Sequence, residues 1–227
     1  MKSVAVLAAI GIAFLVGSTS ARAQAPINLG VSAASLVFTG EGSSSTIGFK
    51  FGNVCPSGSP GLCIANEGAT TGHYDITGTP TITLTSTNLS AGTWTASQTG
   101  PLTFSFCSLA GCHGVGNVVY LTGNLQLVDL VQTPGAKVGT FNYTGTENLT
   151  DLTGTLASSF GSSGALSLNL QFNSNKNIES LLNNTNTITG VRIGSGTVDP
   201  TPEPSSMLLF GSGFLAFGAI LRRRLMA

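Results

Sequence analysis

Three segments of the chain alternate strictly between polar and apolar residues. They are PTITLTST from residue 80, PLTFSF from residue 101 and ALSLNLQF from residue 165. Successive side chains of a β-strand point to opposite faces, so burial of one face produces this period of two. Gly, Asn, Ser and Pro interrupt the apolar runs roughly every ten residues, a spacing typical of β-sandwiches and jelly rolls. We therefore predict an all-β fold, an antiparallel β-sandwich or jelly-roll-like domain.

Shorter apolar groups predict further strands at residues 37–38, 49–51, 118–131, 138–143, 149–156 and 188–193, with another around Trp94. Outside the two ends of the chain, a single helical turn is predicted at residues 178–182. The segment GSGTVDPTPEP, residues 194–204, combines Gly with Pro and is typical of a linker. We therefore expect one β domain over residues 24–193, followed by this linker.

Residues 1–23 have the three parts of a secretory signal peptide. Lys2 supplies a positive start, residues 4–16 form an apolar run, and Ala21, Arg22 and Ala23 form a small-x-small cleavage site. The apolar run is much shorter than the ~20 residues that a spanning helix usually needs. We therefore predict a signal helix that is cleaved after Ala23, and export of the domain from the cytoplasm.

The C-terminal segment, residues 205–227, predicts a short transmembrane helix. Residues 207–221 contain no charge, and with the two preceding serines they would form a helix of roughly 25 Å, near the lower limit for crossing a bilayer. The positive-inside rule places the three arginines that follow in the cytoplasm. Pro202 and Pro204 disfavour helix before the span and hold the chain extended, accessible to a peptide-cleaving enzyme.

This order of Pro-Glu-Pro, short apolar helix and arginine cluster closely resembles the PEP-CTERM sorting tail. The resemblance implies processing by an exosortase, an integral membrane cysteine transpeptidase, with anchoring in the inner membrane before transfer to the surface or the extracellular matrix. It covers only about the last 27 residues. It also implies two functional groups, the recognition triplet and the retention cluster, at Pro202, Glu203, Pro204 and at Arg222, Arg223, Arg224.

The formal net charge of zero hides a shortage of basic residues in the middle of the chain. Five of the nine Lys and Arg residues lie in the two terminal segments. Residues 24–199 carry four basic and eight acidic side chains, a net charge of −4. No basic face is therefore available for phosphates, which disfavours nucleic-acid binding.

The four cysteines fall into two local pairs, Cys55 with Cys63 and Cys107 with Cys112. In an exported chain this spacing predicts two disulfides that fix loops at hairpin ends. Two interpretations compete with it, although we predict neither a cofactor nor a metal. Residues 107–113 form C-x4-C-H, a variant of the haem-attachment spacing, for which His73 would be the second axial ligand. The cysteines with a histidine would alternatively bind zinc.

Candidate catalytic residues are few, and the sequence has no G-x-S-x-G, H-E-x-x-H, P-loop or EF-hand motif. His73, Tyr74 and Asp75 form the densest titratable cluster and are expected as polar loop residues at the start of a strand. Glu147 and Asp151, four residues apart, are a candidate carboxylate pair for glycoside hydrolysis, but solvated side chains are expected. We therefore predict no enzyme.

The expected function is structural or adhesive, in an exopolysaccharide or biofilm matrix. One alternative is a carbohydrate-binding module, in which Trp94 would lie exposed and stack on sugars, although we expect it in the core. The other alternative is an extracellular hydrolase, which requires His73 in one cleft with Glu147 or Asp151.

Overall fold

The structure is a computed structural model that describes residues 25–30, 36–51, 63–78, 80–133, 141–172 and 177–201. Short helical turns lie at Leu89–Ala91, Ala110–Cys112 and Ile178–Leu181, and one short α-helix, α1, at Ala157–Phe160. The described residues contain twelve strands: β1 Ile27–Leu29, β2 Leu36–Gly40, β3 Thr46–Lys50, β4 Ala65–Glu67, β5 Thr70–Gly78, β6 Thr81–Asn88, β7 Thr93–Thr99, β8 Leu102–Cys107, β9 Val119–Thr133, β10 Phe141–Thr153, β11 Ser163–Phe172 and β12 Thr187–Pro200.

The four longest strands, β9 to β12, lie side by side in sequence order. Along one half of these long strands, β9 is connected to β12 through the short strands β8, β5, β4 and β1. Along the other half, β9 is connected to β12 through β7, β6, β3 and β2. Neighbouring strands run antiparallel throughout. The predicted all-β, antiparallel fold is confirmed. Instead of two separate sheets, however, the strands form one sheet that closes into two rings sharing the four long strands.

The rings share strands because β9 and β12 each change partner along their length. Residues 119–124 of β9 pair with β8, whereas residues 129–131 pair with β7. In β12, residues 187–191 pair with β2 and residues 196–198 pair with β1. At ~3.3 Å per residue, β9 is about 45 Å long, which gives each of these strands room for two partners.

The side chain of Gln98 bridges the fork where β7 and β8 separate. Its Nε2 donates to the Leu125 carbonyl over 2.9 Å, and its Oε1 accepts from the Leu127 N–H over 3.1 Å. These two backbone groups lie between the part of β9 that pairs with β8 and the part that pairs with β7. The glutamine therefore satisfies polar groups that neither neighbouring strand reaches.

The inward-facing side chains of both rings form one continuous hydrophobic core. On β11 the alternation predicted from the sequence holds, since Leu166, Leu168, Leu170 and Phe172 are all buried. Trp94 on β7 has no exposed surface, which confirms its predicted place in the core. The predicted helical turn is confirmed at Ile178–Leu181.

Two predicted boundaries are wrong. The linker expected from residue 194 is strand, because β12 continues to Pro200 and pairs there with β11 and, at residues 196–198, with β1. Its glycines pack closely: a Cβ at Gly196 would lie 2.5 Å from the Ser167 carbonyl oxygen. Similarly, the two strands predicted at residues 138–143 and 149–156 overlap one strand, β10, which runs without a break from Phe141 to Thr153, while residues 154–156 are not strand.

Within the part of the chain that the structure describes, no helix has the length and apolar character needed to cross a membrane. The predicted signal peptide with its cleavage site at Ala23, and the predicted transmembrane helix at residues 207–221, lie outside the described residues. Both stay predictions.

Replacing Gln98 with leucine should destabilise the domain, because two backbone groups of β9 lose their partners. We expect the free energy of unfolding to fall by about 1–3 kcal/mol, measured by urea denaturation. The control is Gln126→Leu, since the Gln126 side chain is exposed and makes no hydrogen bond among the described residues. Equal stability of the two variants would contradict the role assigned to Gln98.

Candidate functional site

The loop between β8 and β9 is closed by a disulfide between Cys107 and Cys112, as the sequence predicted. Both sulfurs that haem attachment would need are occupied by this bond. Cys63 is also disulfide-bonded, and its predicted partner, Cys55, lies outside the described residues. Among the described residues, no group of three or more His, Cys, Asp or Glu side chains is placed to hold a metal ion.

The Asn117 side chain holds the same loop together through hydrogen bonds to the backbone of Leu109 and of Cys112. Its Oδ1 accepts from the Leu109 N–H over 3.3 Å, and its Nδ2 donates to the Cys112 carbonyl over 3.0 Å. The Ser108 hydroxyl accepts from the Val118 N–H over 2.8 Å. Together with the disulfide, these bonds define the shape of residues 107–118.

His73, Tyr74 and Asp75 lie within β5 rather than in a loop, which corrects the sequence-based expectation. Tyr74 points into the core, and its hydroxyl donates to the Gly30 carbonyl over 3.1 Å. Asp75 is only 8% exposed. Burial raises the pKa of the Asp75 carboxyl, while a hydrogen bond from the Ile76 backbone and the nearby charge of His113 oppose the increase.

Glu147 lies in the core and not in solvent, which is a second correction. Its side chain is 1% exposed, and its Oε2 has no hydrogen-bond partner among the described residues. Burial raises the pKa of this carboxyl well above its ordinary value, and the charge of Asp129 raises it further. The structure therefore favours the neutral, protonated form of Glu147.

The structure does not bring His73 together with Glu147 or Asp151. Two strands, β8 and β9, separate β5 from β10, so at ~4.8 Å per strand the backbones lie about 14 Å apart across the sheet. Glu147 points into the core, whereas His73 alternates with the buried Tyr74 and points outward. Asp151 is exposed and accepts a hydrogen bond from Asn124 Nδ2 over 2.8 Å.

A groove with a volume of about 380 Å³ lies on the outer face of β1, β10, β11 and β12. Two cross-strand rows of polar side chains line it. In one row Asn169 lies opposite both Thr144 and Ser195, and in the other Thr197 lies opposite both Ser167 and Asn28. No charged side chain lines this groove.

The groove is not evident from the sequence. Its polar residues occupy outward positions of alternating strands, and this alternation is the one signal that the sequence carries. Only the strand order places β1 beside β12, although about 170 residues separate them along the chain.

The last described residue, Thr201, is held against the first residue of β11, Ser163. The Thr201 N–H and hydroxyl both donate to the Ser163 carbonyl, over 3.3 and 2.9 Å. The two hydroxyl oxygens lie 2.6 Å apart. The Pro-Glu-Pro triplet, which lies outside the described residues, therefore follows directly after Thr201, with no linker before it.

Residues 200–224 match the family model described as the PEP-CTERM protein-sorting motif. The match covers the Pro-Glu-Pro triplet, the uncharged run and the three arginines, in the order expected from the sequence. The tail is a PEP-CTERM protein-sorting motif. No curated protein and no solved structure matches the chain.

The PEP-CTERM motif implies an exported protein that an exosortase processes, with sorting at a membrane. The match begins at Pro200, the last residue of β12, so the motif and the folded domain meet within one residue. The positions predicted to act within the motif lie outside the described residues: Pro202, Glu203, Pro204, Arg222, Arg223 and Arg224.

Burial of Glu147 predicts that the stability of the domain depends on pH. Because the pKa is raised in the folded state, the folded protein binds more protons than the unfolded chain above about pH 4.5. The stability that this proton supplies is complete at lower pH and is lost as the pH rises toward the folded-state pKa. The loss approaches ~1.4 kcal/mol per pH unit for one proton.

Glu147→Gln should remove this part of the pH dependence, since the glutamine side chain stays neutral. The measurement is the free energy of unfolding by urea between pH 4 and pH 8. Asp199→Asn, which neutralises an exposed carboxylate, is the control and should keep the slope of the unchanged protein. If the slope persists in Glu147→Gln, Glu147 is not its source.

Proposed function

We propose that this protein is a structural or adhesive component of an exopolysaccharide or surface layer. In this proposal an exosortase first processes its PEP-CTERM tail. The observation that carries the matrix role is the outer groove on β1, β10, β11 and β12, which hydroxyl and amide side chains line without any charge. The PEP-CTERM motif supports export and sorting of the protein, and it covers the tail rather than the β domain.

The polar groove fits the chemistry of a neutral polysaccharide. Sugar hydroxyls both donate and accept hydrogen bonds, as do the hydroxyls of Thr144, Ser167 and Thr197 and the amides of Asn28 and Asn169.

The carbohydrate-binding module is the less favoured alternative. Such modules present an aromatic face on which a sugar ring stacks. In this domain Trp94, Tyr74 and Tyr143 are all fully buried, and the groove has no aromatic lining. Recognition by many weak hydrogen bonds along a polymer therefore fits the domain better than tight binding of one short glycan.

The extracellular hydrolase is the third candidate, and the positions of the candidate residues count against it. His73 and Glu147 lie on different strands and point to opposite faces, while Asp151 is exposed at the end of β10. A general acid and base must reach one substrate from the same cleft. We therefore propose a function without catalysis, and without a cofactor or a metal.

The proposed route begins with export through the signal peptide and cleavage after Ala23. The uncharged run at residues 207–221 then spans the inner membrane, with the three arginines retained on the cytoplasmic side. An exosortase recognises the Pro-Glu-Pro triplet and removes the tail. The domain then passes to the cell surface or the extracellular matrix.

Glu203→Ala should prevent processing, because it removes the charged member of the triplet that the exosortase recognises. We expect the uncleaved protein to accumulate in the membrane fraction, where immunoblotting of fractionated cells would find it at full length. Glu67→Ala, a change on β4 in the domain, should be processed normally. Release of a shortened Glu203→Ala product at the normal rate would refute the role of the triplet.

The matrix role predicts that attachment of cells in a biofilm depends on the tail and the polar surface rather than on titratable residues. His73→Ala and Asp151→Asn should leave attachment unaltered, whereas deletion of residues 202–227 should abolish surface retention. Staining of attached biomass measures both effects, and circular dichroism checks that each variant is folded. Loss of attachment in a folded His73→Ala or Asp151→Asn variant would favour the hydrolase or a specific binder.

A further inference from the structure

The start of the PEP-CTERM tail and the disulfide-closed loop lie at the same end of the domain. The strand registers place the end of β12 beside the start of β11, the start of β11 beside the end of β10, and the end of β10 beside the start of β9. The start of β9 lies beside the end of β8. The loop that joins β8 to β9 therefore lies at the end from which Thr201 leads into the tail.

Of the large apolar side chains that are exposed among the described residues, most lie at this end of the domain. Among the described residues, seven large hydrophobic side chains are exposed, and four of them lie within residues 109–119. Val115, at the tip of the loop, is fully exposed, and the other three are Leu109, Val118 and Val119. Leu89, which is 50% exposed, lies between β6 and β7 at the opposite end of the domain.

The loop is built in a way that keeps these side chains in water. The disulfide and the hydrogen bonds of Asn117 fix its backbone, so its valines do not fold back onto the core. Exposing a cluster of apolar side chains on a fixed loop costs free energy unless another apolar surface covers them. The loop therefore has the form of a contact surface.

The length of the tail indicates which apolar surface covers the loop. Five residues, 202–206, separate Thr201 from the uncharged run at residues 207–221. Even a fully extended chain of this length spans only about 17 Å. If that run lies in the bilayer, as the proposed function states, the tail end of the domain must lie close to the membrane surface.

We propose that residues 109–119 rest on the bilayer while the PEP-CTERM tail is intact, with Val115 inserted among the lipid headgroups. The inference rests on the proposed function, because it requires the tail to span the membrane. The charged and titratable side chains at this end include Glu67, His113, Asp151 and Asp199, and the described residues place no Lys or Arg there. The contact is therefore apolar and suits a zwitterionic lipid surface.

A contact of this kind would orient the domain without holding it. A few apolar side chains give weak, reversible binding, far from the stable insertion of a spanning helix. Removal of the tail then leaves the domain free to move away. While the tail is present, the same contact keeps the Pro-Glu-Pro triplet at the membrane surface, where an integral membrane enzyme acts.

Tryptophan fluorescence tests the proposal in the chain that remains after signal cleavage, residues 24–227, with the tail intact. The variants are Val115→Trp and the matched control Leu89→Trp, which places the same probe at an exposed apolar position of the opposite end. The native Trp94 is buried near that opposite end and supplies a constant background. Each protein is reconstituted into phosphatidylcholine vesicles, either plain or with brominated acyl chains that quench nearby indoles.

We expect the signal added by Val115→Trp to be about twofold lower in the brominated vesicles, since an inserted residue lies some 5–10 Å deep at the headgroup boundary. The Leu89→Trp signal should not change. Peptide mapping confirms that Cys107–Cys112 is intact in both proteins.

Vesicle flotation separates the two ways in which the idea can fail. If both proteins float with the vesicles and Val115→Trp is quenched no more than Leu89→Trp, the loop contact is wrong and the membrane anchor stands. If neither protein floats, the anchor in the proposed function is wrong and the loop contact falls with it. A dimer in detergent, detected by light scattering and abolished by Val115→Asp, would assign the loop to a second copy and overturn the lipid contact.

Discussion

The partner change within β9 and β12 determines the rest of the architecture. Because each of these strands pairs with one short strand at one end and another at the other end, the sheet closes twice. Every described strand then has a neighbour on both sides. An open edge would offer unpaired N–H and C=O groups to another chain, and closure removes this route to strand addition. An adhesive role for this domain must therefore depend on side chains of the outer surface.

The outer surface is suited to such a role because the two faces of the sheet differ so sharply. Apolar side chains fill the rings, and Ser, Thr and Asn occupy outward positions with few charges among them. Glu147 breaks this pattern inside the core, where its carboxyl is buried without a full set of partners. The free-energy cost of burying this carboxyl is lowest when it is protonated, so Glu147 destabilises the domain least in mildly acidic surroundings.

The sequence predicted what depends on local pattern. The alternation in β6, β8 and β11, the buried Trp94 and the Cys107–Cys112 pair all follow from neighbouring residues. It failed where a distant partner decides the structure. Residues 194–200 have the composition of a linker and become strand because β1 and β11 pair with them. Glu147 is likewise buried by the ring around it, and the polar groove exists only where β1 meets β12.

Because residues 194–200 form strand and not a linker, the fold of the domain continues up to the start of the sorting tail. The last strand, β12, pairs with β2 through residues 187–191 and with the first strand, β1, through residues 196–198, so the ring that contains β1 can close only after residue 198 has left the membrane. Thr201 then holds the end of β12 against Ser163. A cut on the C-terminal side of Thr201 leaves every described strand pairing in place. The processed domain therefore keeps its fold, and the tail can be removed without any rearrangement of the protein that it carried.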